Sequence, residues 1–183
     1  MQGVLNIKKA PPDEGFEFVL AGRSNAGKSS ALNCLAKNKK LARTSKTPGR
    51  TTEINFFKVT DEMKLVDLPG YGFSKMSVDK KKNLDILLDN YFSSRQSLCA
   101  AIIFMDIRHP LKNSDIQMME FCDKYEVPFI SVLTKSDKLN NSAISKSTKD
   151  VERKLGSQSV IVTSSKNDEG FDRLSKKIIK FAE

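Results

Sequence analysis

The chain alternates short apolar runs with amphipathic stretches. "FEFVLAG" (16–22) is apolar enough for a buried strand and runs into a glycine-rich turn. "INFFKVT" (54–60) and "MKLVDLPG" (63–70) predict two shorter strands separated by the turn-like "DE". "LCAAIIFMDI" (98–107), "PFISVLTKSD" (128–137) and "SVIVTSS" (159–165) continue the series. Near-continuous apolar runs of this kind suit strands covered on both faces, as in a parallel sheet. Between the runs the period changes. In 112–125, Met118, Phe121, Cys122 and Tyr125 share one helical face. In 171–182, Phe171, Leu174, Ile178 and Phe181 do the same and leave Lys176, Lys177 and Lys180 to water. "ALNCLAKNKK", after the glycine-rich turn, reads as a further helix. Repeated strand–helix alternation implies βαβ units. The expectation is a three-layer α/β fold with a mostly parallel six-stranded sheet, one antiparallel strand, and helices on both faces. One domain is expected over residues 1–183, with 1–15 a short N-terminal extension. Residues 38–53 are the one long polar stretch without periodicity, and their length predicts a functional loop.

Charge changes the picture next. The chain has 31 Lys and Arg against 22 Asp and Glu, a net charge of +9. A basic surface attracts polyanions, and RNA is the expected partner class. Cys34, Cys99 and Cys122 are odd in number and widely spaced, which argues against disulfides and against zinc. They read as buried thiols of a protein in the reducing cytoplasm. No run of about 18 apolar residues is present, so no membrane span is expected. "MQGVLNIKKAPPDEG" carries no apolar signal region, and neither end carries a lipidation pattern.

The chemistry concentrates in three segments. Gly22, Gly27, Lys28 and Ser29 fit G-x-x-x-x-G-K-[ST], the P-loop pattern, within the stretch Gly22, Arg23, Ser24, Asn25, Ala26, Gly27, Lys28, Ser29 and Ser30. Glycines let backbone wrap closely around phosphate oxygens, and successive N–H groups form an anion nest at a helix start. Lys28 supplies a point charge to the β- and γ-phosphates, and the Ser29 hydroxyl suits Mg²⁺. "TKSD" (Thr134, Lys135, Ser136, Asp137) ends an apolar strand, where ligands bind in open α/β sheets. Asp137 can accept from the adjacent N1–H and N2–H₂ donors of guanine, a pair that adenine lacks, so GTP is favoured over ATP. The Lys135 stem can lie along the base. "TSSK" (Thr163, Ser164, Ser165, Lys166) ends the next strand and offers the Ser165 N–H to the guanine O6.

In "VDLPG", Asp67 is placed to hold Mg²⁺ through water, Leu68 and Pro69 lead on, and the Gly70 N–H can sense the γ-phosphate. In "PGRTTE", Gly49, Arg50 and Thr51 lie in the long loop. Thr51 is the favoured residue to close onto Mg²⁺, with Thr52 the alternative, and Pro48 and Gly49 shape the loop. Loss of the γ-phosphate would release both segments, an order–disorder switch. The candidate catalytic set is Lys28, Thr51, Gly70 and Asn25; the candidate metal set is Ser29, Thr51 and Asp67.

These elements in this order resemble the translation-factor-like class of P-loop GTPases. "GRSNAGKSS", "ARTSKTPGRT", "INFF", "LVDLPGYGF", "MDIRHPL" and "LTKSDKL" together resemble the EngB (YihA/YsxC) family of bacterial ribosome-assembly GTPases, over about Phe16 to Phe181. The resemblance implies a single P-loop GTPase domain, a monomer, that binds GTP and GDP with Mg²⁺. It implies action on the precursor of the large ribosomal subunit, its RNA and proteins, and a link to cell division and septation.

Two departures from the common GTPase pattern bear on mechanism. Thr134 stands where many GTPases carry Asn, which weakens one tie between base site and P-loop, although the resembling family generally has Thr there. Tyr71 follows "DLPG" in place of a water-orienting Gln, so slow intrinsic hydrolysis is expected. Asn25 either coordinates a K⁺ that offsets charge developing between phosphates or only shapes the loop; Arg50, Arg23 or a ribosomal partner are the other sources of that charge. His109, the single histidine, reads as structural or partner-contacting. Lys80, Lys81 and Lys82 read as a solvated face or, with Lys37, Lys39, Lys40, Arg43 and Lys46, as a basic surface for ribosomal RNA. A P-loop kinase or ATPase is disfavoured by "TKSD". A GTP-dependent RNA- or ribosome-binding module with negligible turnover stays open because of Tyr71.

Overall fold

The computed structural model describes residues 2–38, 53–71, 77–156 and 158–182. One sheet organises them. Its strands are β1 (Gln2–Val4), β2 (Phe16–Gly22), β3 (Ile54–Lys58), β4 (Met63–Asp67), β5 (Leu98–Asp106), β6 (Phe129–Thr134) and β7 (Ile161–Val162), in the order β1-β3-β4-β2-β5-β6-β7. β2 runs parallel to both β4 and β5, and β5, β6 and β7 continue parallel. β3 is antiparallel to both its neighbours, β4 and β1. The fold class is the expected one, but the sheet has seven strands and not six. The added strand comes from the segment expected as an extension: Gln2, Gly3 and Val4 pair with Phe56, Asn55 and Ile54.

The helices are α1 (Lys28–Leu35), α2 (Val78–Ser94), α3 (Asn113–Lys124), α4 (Asn141–Lys154) and α5 (Phe171–Ile179). Strand alternation sends successive residues to opposite faces. Phe18 and Leu20 of β2 pack with Ala31 and Leu32 of α1 and with Phe171, Leu174 and Ile178 of α5. Val19 and Ala21 face the other way, into a cluster with Leu87, Tyr91 and Phe92 of α2, Met118, Met119 and Cys122 of α3, and Val151 of α4. These are the three layers. Both faces of the central strands are therefore apolar, which is why their sequence shows no alternation.

A charged group of β2 is buried against this pattern. Glu17, fully buried on β2, accepts from the Tyr91 hydroxyl at 2.9 Å and from the Arg95 guanidinium, whose Nε lies at 3.2 Å. Arg95 also donates to the carbonyls of Pro11 and Pro12, at 2.9 and 3.2 Å. Asp13 accepts from Gln96 N and Ser97 N, both at 2.9 Å. This network fastens the N-terminal segment and the end of α2 to the central sheet, at the strand ends remote from the P-loop. Burying a charge is tolerated only with such compensation. Among the described residues no helix is long and apolar enough to cross a membrane.

Candidate functional site

The carboxyl ends of β2, β4, β5 and β6 converge on one rim of the sheet. β2 ends at Gly22, whose position admits no side chain: a Cβ there would lie 2.8 Å from the Phe104 carbonyl oxygen. The loop closes at Gly27, with φ +92°, a left-handed conformation that glycine adopts without a steric cost. Gly27 caps α1 without a side-chain acceptor, so the first-turn N–H groups keep their hydrogen-bonding capacity for an incoming anion. Ala26 N donates to Arg23 O at 3.0 Å and holds the turn. Lys28 is buried, and its ammonium donates to the carboxylate of Asp67 at the end of β4. The neighbouring strands bring these two together, because Leu20 and Asp67 are register partners. Ser29 and Ser30 follow, half-buried, in the first turn of α1.

The chain beyond Asp67 returns to the P-loop. Leu68 N donates to Leu20 O at 3.1 Å. Tyr71 N donates to Gly22 O, and Ser24 N to Tyr71 O, both at 3.4 Å. Pro69 and Gly70 are thus held beside residues 22–24. The Tyr71 hydroxyl donates to Asp115 Oδ1 of α3 at 3.2 Å. Asp115 is almost fully buried and its Oδ2 also accepts from Lys112 N at 3.0 Å. Burial pushes the Asp115 carboxyl above its ordinary range, against the pull of the Lys112 N–H and the Tyr71 hydroxyl. Burial, followed by the facing Asp115 carboxylate, pushes the Tyr71 phenol far up. Tyr71 therefore stays protonated and hydrogen-bonded to α3 at neutral pH.

The "TKSD" segment makes the most specific contacts with the P-loop. Thr134 Oγ1 lies 2.5 Å from Ala26 O and 3.1 Å from Met105 O. The tie expected to be weakened by Thr134 is present in this chain. Its hydroxyl supplies a direct bond to the loop backbone, because β6 ends within reach of Ala26. Lys135, with φ +61°, donates from Nζ to Asn25 O at 2.5 Å. Two consecutive residues of one loop thus grip two consecutive carbonyls of the other. Ser136 N donates to Thr163 O at 3.2 Å. Asp137 Oδ1 accepts from Ser164 Oγ at 2.9 Å, and Lys138 Nζ lies 3.4 Å from Oδ2. Burial works against the Asp137 charge, but the Ser164 hydroxyl and Lys138 lower its pKa overall, so it is an acceptor-only carboxylate at neutral pH.

Other expected residues are placed less tightly. Asn25 is exposed with φ +61°. Ser165 is half-buried and Lys166 exposed, beyond Ser164. Gly49, Arg50 and Thr51, the alternative Thr52, and Pro48, Lys39, Lys40, Arg43 and Lys46 lie outside the described residues. Lys37 and Lys80, Lys81 and Lys82 are exposed. His109 is exposed, with its backbone N–H on Asp106 O at 2.9 Å. No cluster of three or more His, Cys, Asp or Glu able to hold a metal occurs among the described residues. Ser29 and Asp67 offer hard oxygen atoms, the donor type that suits Mg²⁺, an ion that takes few protein ligands and completes its shell with water and phosphate. Sequence reasoning missed Asp106, Arg108 and Asp115. The first two stood in the quoted "MDIRHPL", but nothing local marked their partners.

Known proteins resemble this chain in sequence and in fold. The family described as "50S ribosome-binding GTPase" matches residues 17–135. A probable GTP-binding protein EngB of Mannheimia succiniciproducens is 47% identical over 182 residues, covering 97% of this chain and 89% of its own. The crystal structure of a probable GTP-binding protein EngB superimposes with a TM-score of 0.73 at 22% identity, covering 91% of this chain and 98% of its own. Era, in a complex with MgGDPNP and a 16S ribosomal RNA segment, superimposes with a TM-score of 0.70 at 18% identity, over 92% of this chain and 57% of its own. With a P-loop at the rim of its sheet, and relatives this close along nearly its whole length, the chain belongs to the EngB family of GTP-binding proteins and is a GTPase.

Proposed function

We propose that this GTPase is a switch in assembly of the large ribosomal subunit: it binds GTP with Mg²⁺, hydrolyses it slowly to GDP and phosphate, and is released from its ribosomal partner as its two nucleotide-sensing segments relax. The observation that carries the nucleotide reading is the double grip of Thr134 and Lys135 on the carbonyls of Ala26 and Asn25. It fixes the distance between a phosphate cradle and the carboxylate of Asp137. A ligand that satisfies both ends must carry a polyphosphate and a base with two adjacent donors, which is a guanine nucleotide.

In this reading the backbone of residues 22–30 and the Lys28 ammonium bind phosphate. For Lys28 to do so, its bond with Asp67 opens, and Asp67, Ser29 and Thr51 serve the metal. Bound Mg²⁺ supplies charge neutralisation across the phosphate oxygens. Leu68, Pro69 and Gly70 bring a backbone N–H toward the γ-phosphate; Gly49 and Arg50 complete the loop that carries Thr51. Ser164 orients Asp137, and Ser136, Ser165 and Lys166 frame the base. Tyr71 donates its hydroxyl to Asp115 and so does not orient water, which supports a low intrinsic rate. Asn25 is the K⁺ ligand of this proposal, and equal turnover in KCl and NaCl would remove it from that role.

The net charge of +9 and the exposed Lys80, Lys81 and Lys82 support contact with ribosomal RNA, made by a monomer in the cytoplasm. A link to cell division and septation belongs to the same proposal. Calorimetry tests the nucleotide reading. GTP should bind several orders of magnitude more tightly than ATP, and Asp137→Asn should transfer the preference to xanthosine nucleotides; equal affinity for GTP and ATP overturns it. GTP-dependent co-sedimentation with large-subunit precursors, absent with GDP, tests the ribosomal reading.

A further inference from the structure

Asp106 ends β5 beside the base-reading loop, and its register partner on β6 is Thr134. Its carboxylate is 84% withdrawn from solvent, with a side-chain exposure of 16%. Oδ1 accepts from Arg108 N at 3.1 Å and from Arg108 Nε at 2.9 Å. Oδ2 takes the Arg108 guanidinium at 2.7 Å and the Lys135 ammonium at 2.9 Å. Burial alone would raise the pKa of Asp106, but Arg108 and Lys135 together drive it well below the usual carboxylate range. The group is an anion at neutral pH.

Lys135 needs such a partner. Its backbone is left-handed, a conformation that costs a non-glycine residue about 1–2 kcal/mol. Its side chain has four rotatable carbons and loses about 2 kcal/mol of rotamer freedom when fixed. The neutral carbonyl of Asn25 is a weak anchor for an ammonium that is 29% exposed by side chain. Asp106 adds the opposite charge on the other side. Arg108, whose planar fork cannot deprotonate, holds the two carboxylate oxygens in place. A chain of contacts therefore runs from Arg108 through Asp106 and Lys135 to the P-loop backbone.

We propose that Asp106 is a positioning residue for guanine-nucleotide binding: it holds the Lys135 ammonium against Asn25 so that the lysine stem meets the base already arranged. The inference rests on the guanine-site reading above. It predicts that Asp106 acts on ligands that carry a base, through Lys135, and has little effect on a ligand that is phosphate alone.

Calorimetry on the full chain decides this, with GDP, ADP and inorganic tripolyphosphate as probes. The variants are Asp106→Ala, Asp106→Asn, Lys135→Ala and the double variant Asp106→Ala/Lys135→Ala, with urea unfolding run on each. Asp106→Ala should weaken GDP about tenfold to hundredfold, the range for loss of a hydrogen bond to a charged group. Tripolyphosphate should change by no more than about twofold, the spread seen for independent sites. Asp106→Asn keeps an acceptor without the charge and should fall between wild type and Asp106→Ala. The double variant should bind GDP no more weakly than Lys135→Ala alone. The proposal is overturned if Asp106→Ala binds GDP like the wild type while the wild type still prefers GDP to ADP. A parallel loss of tripolyphosphate binding, or an undiminished Asp106 effect in the Lys135→Ala background, also overturns it. If the wild type itself binds GDP and ADP equally, the guanine reading fails and takes this inference with it.

Discussion

Thr134→Val isolates the bond between the two nucleotide-facing loops. The side chain is buried, 3% exposed, so water does not replace what is lost. One hydroxyl proton serves one acceptor at a time, and the shorter contact is Ala26 O at 2.5 Å, against 3.1 Å for Met105 O. Valine keeps the branched shape, removes the donor and strands the Ala26 carbonyl, at a cost of about 1–3 kcal/mol. The structure limits where this appears. If the P-loop keeps its shape, the whole cost is in stability, and the melting temperature falls by about 2–12 °C for a chain of this size. If the loop relaxes when the bond is gone, the cost moves into the pre-organisation of the phosphate cradle, and GDP affinity falls by about 5- to 150-fold. The two losses, expressed as free energies, should add to the same total. Urea unfolding of the ligand-free protein gives the first and calorimetry with GDP the second. Thr134→Ser keeps the hydroxyl and serves as the control that retains most of both. A Thr134→Val protein that matches wild type in stability and in affinity would refute the role given to this contact.

Glu17→Ala should destabilise the fold by about 3–5 kcal/mol, since it leaves the Arg95 guanidinium and the Tyr91 hydroxyl without their buried carboxylate. Urea unfolding measures it, and a loss below about 1 kcal/mol would mean that the Pro11 and Pro12 carbonyls suffice for Arg95. Gly27→Ala forces a side chain into a backbone at φ +92° and sets its Cβ 3.4 Å from Thr134, so GDP affinity should drop by about tenfold or more, read by calorimetry. Asp115 has a carboxyl whose pKa is raised in the folded chain, so the native state holds that proton more tightly than the unfolded chain does. Its contribution is complete below the ordinary value of 3.8 and is lost as pH rises through the native value. Asp115→Asn cannot ionise, so its stability relative to wild type should rise across that interval and then level off. Urea midpoints of both proteins between about pH 3 and 7 would show this, and a constant difference throughout would contradict the raised value.

What the sequence announces and what it conceals divide along physical lines. β2 and β5 were readable because a strand covered on both faces is a continuous apolar run, and the predicted 16–22 coincides with Phe16–Gly22. α5 was readable from Phe171, Leu174 and Ile178, all buried on one face, although the helix ends at Ile179 and Phe181 lies past it. β7 shrinks from the predicted 159–165 to Ile161–Val162, since only those two residues pair with β6. β1 had no signal: of Gln2, Gly3 and Val4 only Val4 is buried, and the strand exists because β3 offers an edge. α4 carries little apolar signal, because Val151 is its single fully buried residue.

The site follows the same rule. On the proposed reading a phosphate chain and a base edge would each be held by neighbouring backbone and side-chain groups, so the chemistry of the P-loop and of "TKSD" is written locally. Their supports are not. Asp106 and Lys135, Tyr71 and Asp115, Thr134 and Ala26 are brought together by adjacent strands and loops, and in sequence their charged members look like ordinary surface residues. The placing of "TKSD" thus depends on register: Asp106 faces Thr134 because β5 and β6 align at that pair, and a one-residue slip of β6 would turn the Thr134 hydroxyl to the opposite face of the sheet. On the proposed reading, nucleotide recognition in this chain is therefore as much a property of strand pairing as of its motifs.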